Sequence, residues 1–206
     1  DKYLKFHNYK FKNENNECGG YVILKNKNLI LSVDLGSSPE KKFSNDYQSG
    51  ALSFEIFFKH CKLISNCGYF QNYKHQLNSI SKSSATHSTL ILDNTSSCKF
   101  KRDVDGILKI NQELRVSKKS IIAEKNYWCV EGSHEGYLKQ YGIIHERKIE
   151  HFSDKNKFLG TDNLIKKKKF KSTNFEIRFH FEPGVKITKT QDGKFILIEL
   201  KNSGWR

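Results

Sequence analysis

The feature that most constrains the fold of this chain is a two-residue alternation of apolar and polar side chains. In the segment ALSFEIFFKH, residues 51–60, four apolar residues share one face: Leu52, Phe54, Ile56 and Phe58. The segment NFEIRFHFEPG, residues 174–184, repeats the pattern, with four residues expected to point inward: Phe175, Ile177, Phe179 and Phe181. A period of two is typical of a β-strand with one buried face.

Two further stretches predict hairpins. GYVILKNKNLILSVDLG, residues 20–36, has apolar runs on both sides of a Lys-Asn-Lys-Asn turn, and VKITKTQDGKFILIEL, residues 185–200, turns at Asp192-Gly193. We also predict strands at 89–92, 107–110, 120–124 and 143–152, whereas TDNLIKKKKFK, residues 161–171, could hold one or two helical turns. Short strands separated by regular turn signals predict an all-β fold: one large antiparallel β-sandwich over residues 1–206, with few or no helices.

The charge of the chain restricts its partners. Thirty-six Lys and Arg against 22 Asp and Glu give a net charge of +14, which favours nucleic acid, acidic polysaccharide or a lipid surface. The charge is densest in LIKKKKFKS, where four residues are candidate contacts to an anionic substrate: Lys166, Lys167, Lys168 and Lys169. A solvated loop in a lysine-rich chain explains the same run. No apolar run approaches the roughly 18 residues of a membrane span, and the first ten residues lack the apolar centre of a signal peptide.

Motif searches leave few candidates for chemistry. The five cysteines include no CxxC pair, so we predict buried free thiols rather than a zinc finger or redox motif, with one disulfide as the alternative. Nucleotide-binding, zincin and hydrolase motifs are absent. Polar residues beside strands remain, and we predict four of them on a cleft-facing surface with catalytic roles: His134, Tyr137, His145 and Arg147. His145 and Arg147 fall on the same side of the strand predicted at 143–152.

The order of five segments resembles the C-terminal β-domain of heparinase II/III-like proteins, and most resembles the branch common in alphaproteobacteria. The segments are LSFEIFFKHCKLISNCG, SSATHSTLILDNTSSCKF, EGSHEGYLKQYGIIHERKIE, FEIRFHFEPGVKITKTQDGKFILIEL and GWR. The resemblance implies a polysaccharide lyase, or a relative of lyases, that cuts acidic uronate-containing glycans by β-elimination in the periplasm or cell envelope. It also implies a partner, an N-terminal α/α toroid that supplies most catalytic groups. We expect this chain alone to be inactive.

The resemblance also implies site residues. The family's catalytic histidine position falls on Asp46, and its metal-ligand positions fall on Gln48, Asn66 and His87. Only His87 keeps the family's residue type, which leaves a degenerate site for zinc or another divalent metal. Because zinc prefers imidazole, thiolate and carboxylate to amides, we expect a hydrogen-bonded remnant that joins two strand ends.

Elimination needs a base for the C5 proton, a group that neutralises the enolate-like charge, and an acid for the leaving O4. Two alternatives need none of these groups. A stand-alone carbohydrate-binding β-sandwich would stack sugars on Tyr127, Trp128 and Tyr137. A nucleic-acid-binding domain would use the lysine run, although only Phe170 supplies an aromatic platform within it.

Overall fold

The structure, a computed structural model, describes residues 16–59, 61–168, 173–200 and 203–205, and strands are the main element, with 48% of the residues. The strands are β1 (Glu17–Cys18), β2 (Tyr21–Lys25), β3 (Leu29–Asp34), β4 (Phe54–Phe58), β5 (Cys61–Ser65), β6 (Leu90–Leu92), β7 (Lys99–Arg102), β8 (Leu108–Gln112), β9 (Val116–Ala123), β10 (Tyr127–His134), β11 (Ile143–Phe152), β12 (Lys157–Lys166), β13 (Phe175–Ile177), β14 (His180–Phe181), β15 (Lys186–Lys189), β16 (Ile196–Leu200) and β17 (Ser203–Trp205). Two short helices, α1 (Gln76–Ser81) and α2 (Leu138–Tyr141), lie in connections. The all-β prediction is confirmed.

The first sheet is antiparallel and has the order β1-β2-β3-β4-β5-β14. The predicted β2–β3 hairpin forms because the Asn26 side chain accepts hydrogen bonds from the backbone N–H groups of Asn28 and Leu29, at 3.0 and 2.9 Å. Burial alternates along β3 and β4, as the apolar pattern predicts. Leu52 is fully buried but precedes β4, where its backbone takes a positive φ of 61°.

The second sheet has the order β12-β11-β10-β9 and also is antiparallel. Strand β11 has the predicted bounds, and its alternate residues His145, Arg147, Ile149 and His151 are buried. Residues from both sheets, including Leu31 of the first and Trp128 and Val130 of the second, belong to one hydrophobic core. This is the packing of a β-sandwich.

Three smaller sheets pair β13 with β6, β7 with β8, and β16 with both β15 and β17. The predicted hairpin at 185–200 is present, and Gly193 supplies its positive φ of 69°. The prediction for 174–184 is wrong in one respect. Its strand divides into β13 and β14, which pair with β6 and β5 respectively, and three of the residues expected to point inward are exposed: Phe175, Ile177 and Phe179.

The helical alternative for 161–171 is also wrong over residues 161–166. These residues belong to β12, whose register with β11 runs without a break from Phe152↔Lys157 to Ile143↔Lys166. β12 is the edge of its sheet, and ten consecutive residues pair with β11 through the backbone groups that face it, which outweighs the weak helical preference of the segment.

The five cysteines are free thiols. Cys98 and Cys129 are buried as predicted, whereas Cys18, Cys61 and Cys67 are exposed, so the expectation of burial is wrong for those three. No helix in the described part of the chain is long and apolar enough to cross a membrane.

Candidate functional site

A cleft of about 620 Å³ lies on the face of the first sheet that turns away from the core. Its floor comes from β2, β3, β4 and β5, and its walls come from the loops after β3 and β5 and from the segment before β6. The residues that line it include Tyr21, Ser32, Asp34, Ser37, Asp46, Tyr47, Gln48, Gly50, Ser53, Glu55, Lys62, Asn66 and His87. The outward phase of the strand alternation therefore supplies a polar floor.

The structure brings together the four positions that the family resemblance singled out. Asp46, Gln48, Asn66 and His87 all line this cleft although they come from three separate segments. Asn66 connects the segments that hold the other positions. Its Oδ1 accepts a hydrogen bond from the N–H of Ser88, next to His87, at 2.8 Å, and its Nδ2 donates to the Oγ of Ser53, before β4, at 3.3 Å. Within the described part of the chain, no hydrogen bond joins the side chains of Gln48, Asn66 and His87 to one another. The expected remnant therefore holds strand ends through Asn66 alone.

His87 lies beneath the cleft wall and is 3% exposed. Its Nδ1 faces Gly50 so closely that a Cβ on that glycine would lie 3.2 Å from it. Its Nε2 is buried without a hydrogen-bond partner among the described residues. Burial lowers the pKa of His87 to about 4, and nearby His180 lowers it further while the Ser81 carbonyl opposes the shift. The imidazole is therefore neutral at physiological pH.

The donors present do not fit the zinc ion that the family resemblance implies. His87 offers one imidazole, Asn66 has already committed its oxygen to the Ser88 N–H, and Gln48 is an amide. Across the described ranges, no three His, Cys, Asp or Glu side chains are grouped as metal ligands would be. A single imidazole with neutral amides is a weak donor set for zinc.

Carboxylates dominate the electrostatics of the cleft. Burial raises the pKa of Asp34 to about 7, although the Gly36 N–H, 2.9 Å away, and Lys119 oppose the shift. Tyr21 is paired with Asp34 across β2 and β3, and burial raises its pKa to about 12, with a further contribution from that carboxylate. Glu55 forms an ion pair with Lys62 at 2.9 Å. The carboxyl group of Asp34 can therefore exchange a proton near neutral pH.

The four residues predicted to be catalytic do meet, but inside the sandwich rather than on a cleft-facing surface. His134, Tyr137, His145 and Arg147 are each at most 4% exposed. His134 Nε2 and His145 Nδ1 lie 3.1 Å apart, and the Tyr137 hydroxyl donates to the Leu90 carbonyl at 2.9 Å. The prediction that they face a cleft is wrong, because their strand side turns toward the core.

Asp162, which sequence reasoning missed, completes this interior network. Arg147 donates to Asp162 Oδ1 from Nε at 2.7 Å and to Oδ2 from Nη2 at 2.9 Å, and His145 Nε2 lies 2.6 Å from Oδ1. Arg147 Nη1 also donates to the carbonyls of Leu52 and Ser88, at 3.0 and 2.8 Å. These two carbonyls belong to the loops beside Ser53 and His87, so the network fixes the backbone beneath the cleft.

The network also perturbs proton affinities. The pKa of His145 is lowered by burial, and that of His134 is lowered well below its ordinary value by burial and by the neighbouring His145 and Arg147. Burial alone would raise the pKa of Asp162, but hydrogen bonds from His145 and Arg147 bring it down to about 2. Both histidines are therefore neutral beside a charged Arg147–Asp162 pair.

The remaining predicted contacts have mixed positions. Lys166, Lys167 and Lys168 are exposed at and after the end of β12, while Lys169 lies outside the described residues. Trp128 and Tyr137, proposed as sugar-stacking platforms, are 5% and 1% exposed, so they cannot stack on a ligand at the surface. The hydroxyl of Tyr127, on the outer face of the second sheet, donates to Glu150 at 2.6 Å.

Asp34, Tyr21, Glu55 and Lys62 are cleft residues that sequence reasoning did not select. Each lies on the outward phase of a strand in the first sheet. A signal existed, because charged residues on that phase of consecutive strands collect on one face.

Comparison with known proteins follows this geometry. The family model described as "Heparinase II/III-like, C-terminal" matches residues 15–206. The heparan sulfate lyase HepC from Pedobacter heparinus superposes with a TM-score of 0.66 at 16% identity, covering 89% of this chain and 26% of that one. A heparinase III structure superposes with a TM-score of 0.63 at 16% identity, covering 91% and 28%. The chain thus spans about a quarter of the length of the solved structures it matches. A search of curated proteins by sequence found no match.

Proposed function

Because this chain belongs to the heparinase II/III-like C-terminal family, we propose that it forms one wall of the substrate cleft of a polysaccharide lyase acting on acidic, uronate-containing glycans. In this proposal the toroid that closes the cleft belongs to the same protein and supplies most of the catalytic groups. Export to the periplasm or cell envelope is part of the proposal.

The observation that carries the proposal is the convergence of Asp46, Gln48, Asn66 and His87 on one cleft. These residues were selected from the family resemblance without knowledge of their distances, and they come from segments up to 41 residues apart in numbering, from Asp46 to His87. The hydroxyl, amide and carboxylate side chains around this concave surface can donate hydrogen bonds to sugar hydroxyls or accept them.

The chemistry divides between this chain and the toroid. The family's histidine position holds Asp46, and the predicted acid–base residues lie in the core, so this chain offers few groups for proton transfer at the glycan. Asp34, with a pKa raised to about 7, is a cleft carboxyl that can take up or release a proton at neutral pH. We assign this chain the binding and orientation of the sugar.

The test is an elimination assay on a uronate-containing polysaccharide. Product formation is followed through the ultraviolet absorbance of the C4–C5 double bond that β-elimination creates. We expect no turnover by the 206-residue chain and measurable binding of uronate oligosaccharides by calorimetry. A chain that binds no uronate glycan, under conditions where circular dichroism shows it folded, refutes the proposal.

A carbohydrate-binding sandwich without any lyase function is the second candidate. Asp46 at the family's histidine position favours it, because a carboxylate there does not reproduce the proton chemistry of an imidazole. Glycan binding and β-elimination by the native protein, purified from its source cells, distinguish the two candidates. Glycan binding without β-elimination there selects the second candidate, and elimination selects the lyase.

A further inference from the structure

The cleft offers no free cation for the acidic group of a glycan. Among the described residues that line it, Lys62 is the one basic side chain apart from His87, and it is paired with Glu55 at 2.9 Å. Lys82 lies behind the wall, where its Nζ donates to the carbonyls of Asn45 and Tyr47 at 2.5 and 3.0 Å. Asp34, with a pKa raised to about 7, is only partly ionised at neutral pH, and Asp46 adds a negative charge, so this wall offers a uronate carboxylate or a sulfate no attractive partner.

A second groove, of about 350 Å³, has the cations that the cleft lacks. Arg115, Lys139 and Lys168 line it, together with Glu113 and Glu135. The three basic side chains come from the β8–β9 loop, from α2 and from the segment after β12, and all three are exposed. None of them forms an ion pair with another residue of the described ranges, so their charges remain available to a ligand.

Backbone geometry fixes the groove. Gly142 ends α2 with a positive φ of 65°, and its carbonyl accepts a hydrogen bond from the Lys167 N–H at 2.7 Å. A Cβ on Gly142 would lie 2.9 Å from the Cβ of Lys168. Only a glycine lets the two segments approach this closely, and the approach places Lys168 beside Lys139.

The groove adjoins the cleft through the loop after β3. Ser37, which lines the cleft, accepts a hydrogen bond at its Oγ from the Val116 N–H at 3.0 Å. Ser38 accepts one at its Oγ from the Leu114 N–H at 2.9 Å. Arg115 lies between Leu114 and Val116 in the chain, so the loop that lines the cleft is hydrogen-bonded on either side of the arginine that lines the groove.

We propose that this groove, defined by Arg115, Lys139 and Lys168, binds the carboxylate or sulfate of an acidic polysaccharide whose neighbouring sugar occupies the cleft. The proposal rests on the proposed function, since it assigns the glycan's acidic group to a position outside the cleft. Arginine can bind a carboxylate or a sulfate through two parallel hydrogen bonds, and the lysines add point charges. Glu113 and Glu135 accept hydrogen bonds from sugar hydroxyls on the same unit.

The test compares two triple variants of the 206-residue chain that lose the same charge. The groove variant is Arg115→Ala, Lys139→Ala, Lys168→Ala. The control variant is Lys25→Ala, Lys27→Ala, Lys125→Ala, three exposed lysines at the end of β2, in the β2–β3 turn and in the β9–β10 turn. Circular dichroism checks that both fold, and calorimetry measures binding of a uronate-containing oligosaccharide, a neutral oligosaccharide of equal length and a short DNA duplex.

We expect the groove variant to bind the acidic oligosaccharide about tenfold or more weakly, because three charge-assisted contacts are lost, and the control variant to bind it nearly as the unmodified chain does. Affinity for the neutral oligosaccharide should not change. Equal losses in both variants, or equal losses for DNA and the glycan, overturn the groove because net charge then explains binding. If the unmodified chain binds the acidic glycan and the groove variant binds it unchanged, the groove fails and the proposed function stands. A chain that binds no acidic glycan refutes both.

Discussion

Replacing Arg147 with methionine should destabilise the fold more than any single change on the outer face of the same strand. The substitution keeps most of the side chain's apolar volume and removes its charge. It leaves the Asp162 carboxylate, whose side chain is 10% exposed, with His145 as its remaining hydrogen-bond partner among the described residues. It also leaves the carbonyls of Leu52 and Ser88 without the donor they share.

The magnitude follows from these losses. Removing one partner of a buried ion pair costs about 3–5 kcal/mol because the other charge is left uncompensated. The pKa of Asp162 supports this order of magnitude. Hydrogen bonds from His145 and Arg147 lower it from an ordinary 3.8 to about 2 in spite of burial, and this net shift corresponds to about 2 kcal/mol. A domain of this size has a total stability of about 5–15 kcal/mol, so the loss is a large fraction of it.

Urea denaturation followed by circular dichroism and by tryptophan fluorescence measures the effect. Lys148→Met is the matched control, because Lys148 is the next residue of β11, faces outward and pairs at 3.1 Å with Glu150, which keeps the Tyr127 hydroxyl as a second partner. We expect the control to change the free energy of unfolding by less than about 1 kcal/mol. Adding Asp162→Leu to Arg147→Met should recover part of the loss, since no unpaired charge then remains. Equal effects of Arg147→Met and Lys148→Met would refute the reasoning.

Three further predictions concern the cleft and its surroundings. The pKa of His87 is about 4 in the fold and 6.5 unfolded, so its contribution to stability should fall by up to about 3 kcal/mol as pH is lowered through this window. Asp34, whose pKa is raised from 3.8 to about 7, contributes with the opposite sign over the same range, so the His87 effect is read as a difference between variants. The stability of His87→Leu relative to the unmodified chain should increase as pH is lowered from 6.5 to 4, and a difference that does not change with pH contradicts the reasoning. Gly136→Ala should cost about 3 kcal/mol or more, because its Cβ would lie 2.2 Å from the Ser97 carbonyl oxygen, while Gly160→Ala, with nothing within 4 Å, should change stability by about 0.5 kcal/mol or less; thermal melts that do not separate the two contradict the geometry. Because the donor set does not fit zinc, we expect the melting temperature to be unchanged by zinc or by a chelator. A site occupied at a zinc concentration 100 times its Kd would stabilise the fold by about 2.7 kcal/mol, so a clear rise with zinc would show a site that the donor set does not explain.

The alternation of apolar residues was sufficient to predict the sheets where one strand face is buried. The β2–β3 hairpin and β11 follow it closely, because each presents one face to the common core. The same alternation misled at 174–184. That segment bonds to β6 through one half and to β5 through the other, so Phe181 packs against the core while Phe175 and Ile177 remain exposed. Periodicity reports a two-faced strand but not which surface, if any, covers each face.

The site shows the same division. Pattern placed His145 and Arg147 on one side of a strand, which is confirmed, yet a charged side chain suggested that this side faces a cleft. Arg147 can be buried on the core side of β11 because it pairs with Asp162, and this pair depends on the register of β11 and β12. Asp34 and Tyr21 depend in the same way on the register of β2 and β3. Cross-strand partners are set by three-dimensional pairing, which a local pattern does not contain.

The hydrogen bonds from Arg147 to the carbonyls of Leu52 and Ser88 have a consequence for how this surface can evolve. The main chain beneath the cleft is anchored from the interior, by a side chain of the opposite sheet, in addition to the hydrogen bond that Asn66 accepts from the Ser88 N–H. Cleft side chains that make no hydrogen bond to this backbone can therefore be exchanged with little risk to the scaffold that displays them. A library that varies such residues while keeping Asn66, Arg147 and Asp162 should yield mostly folded members.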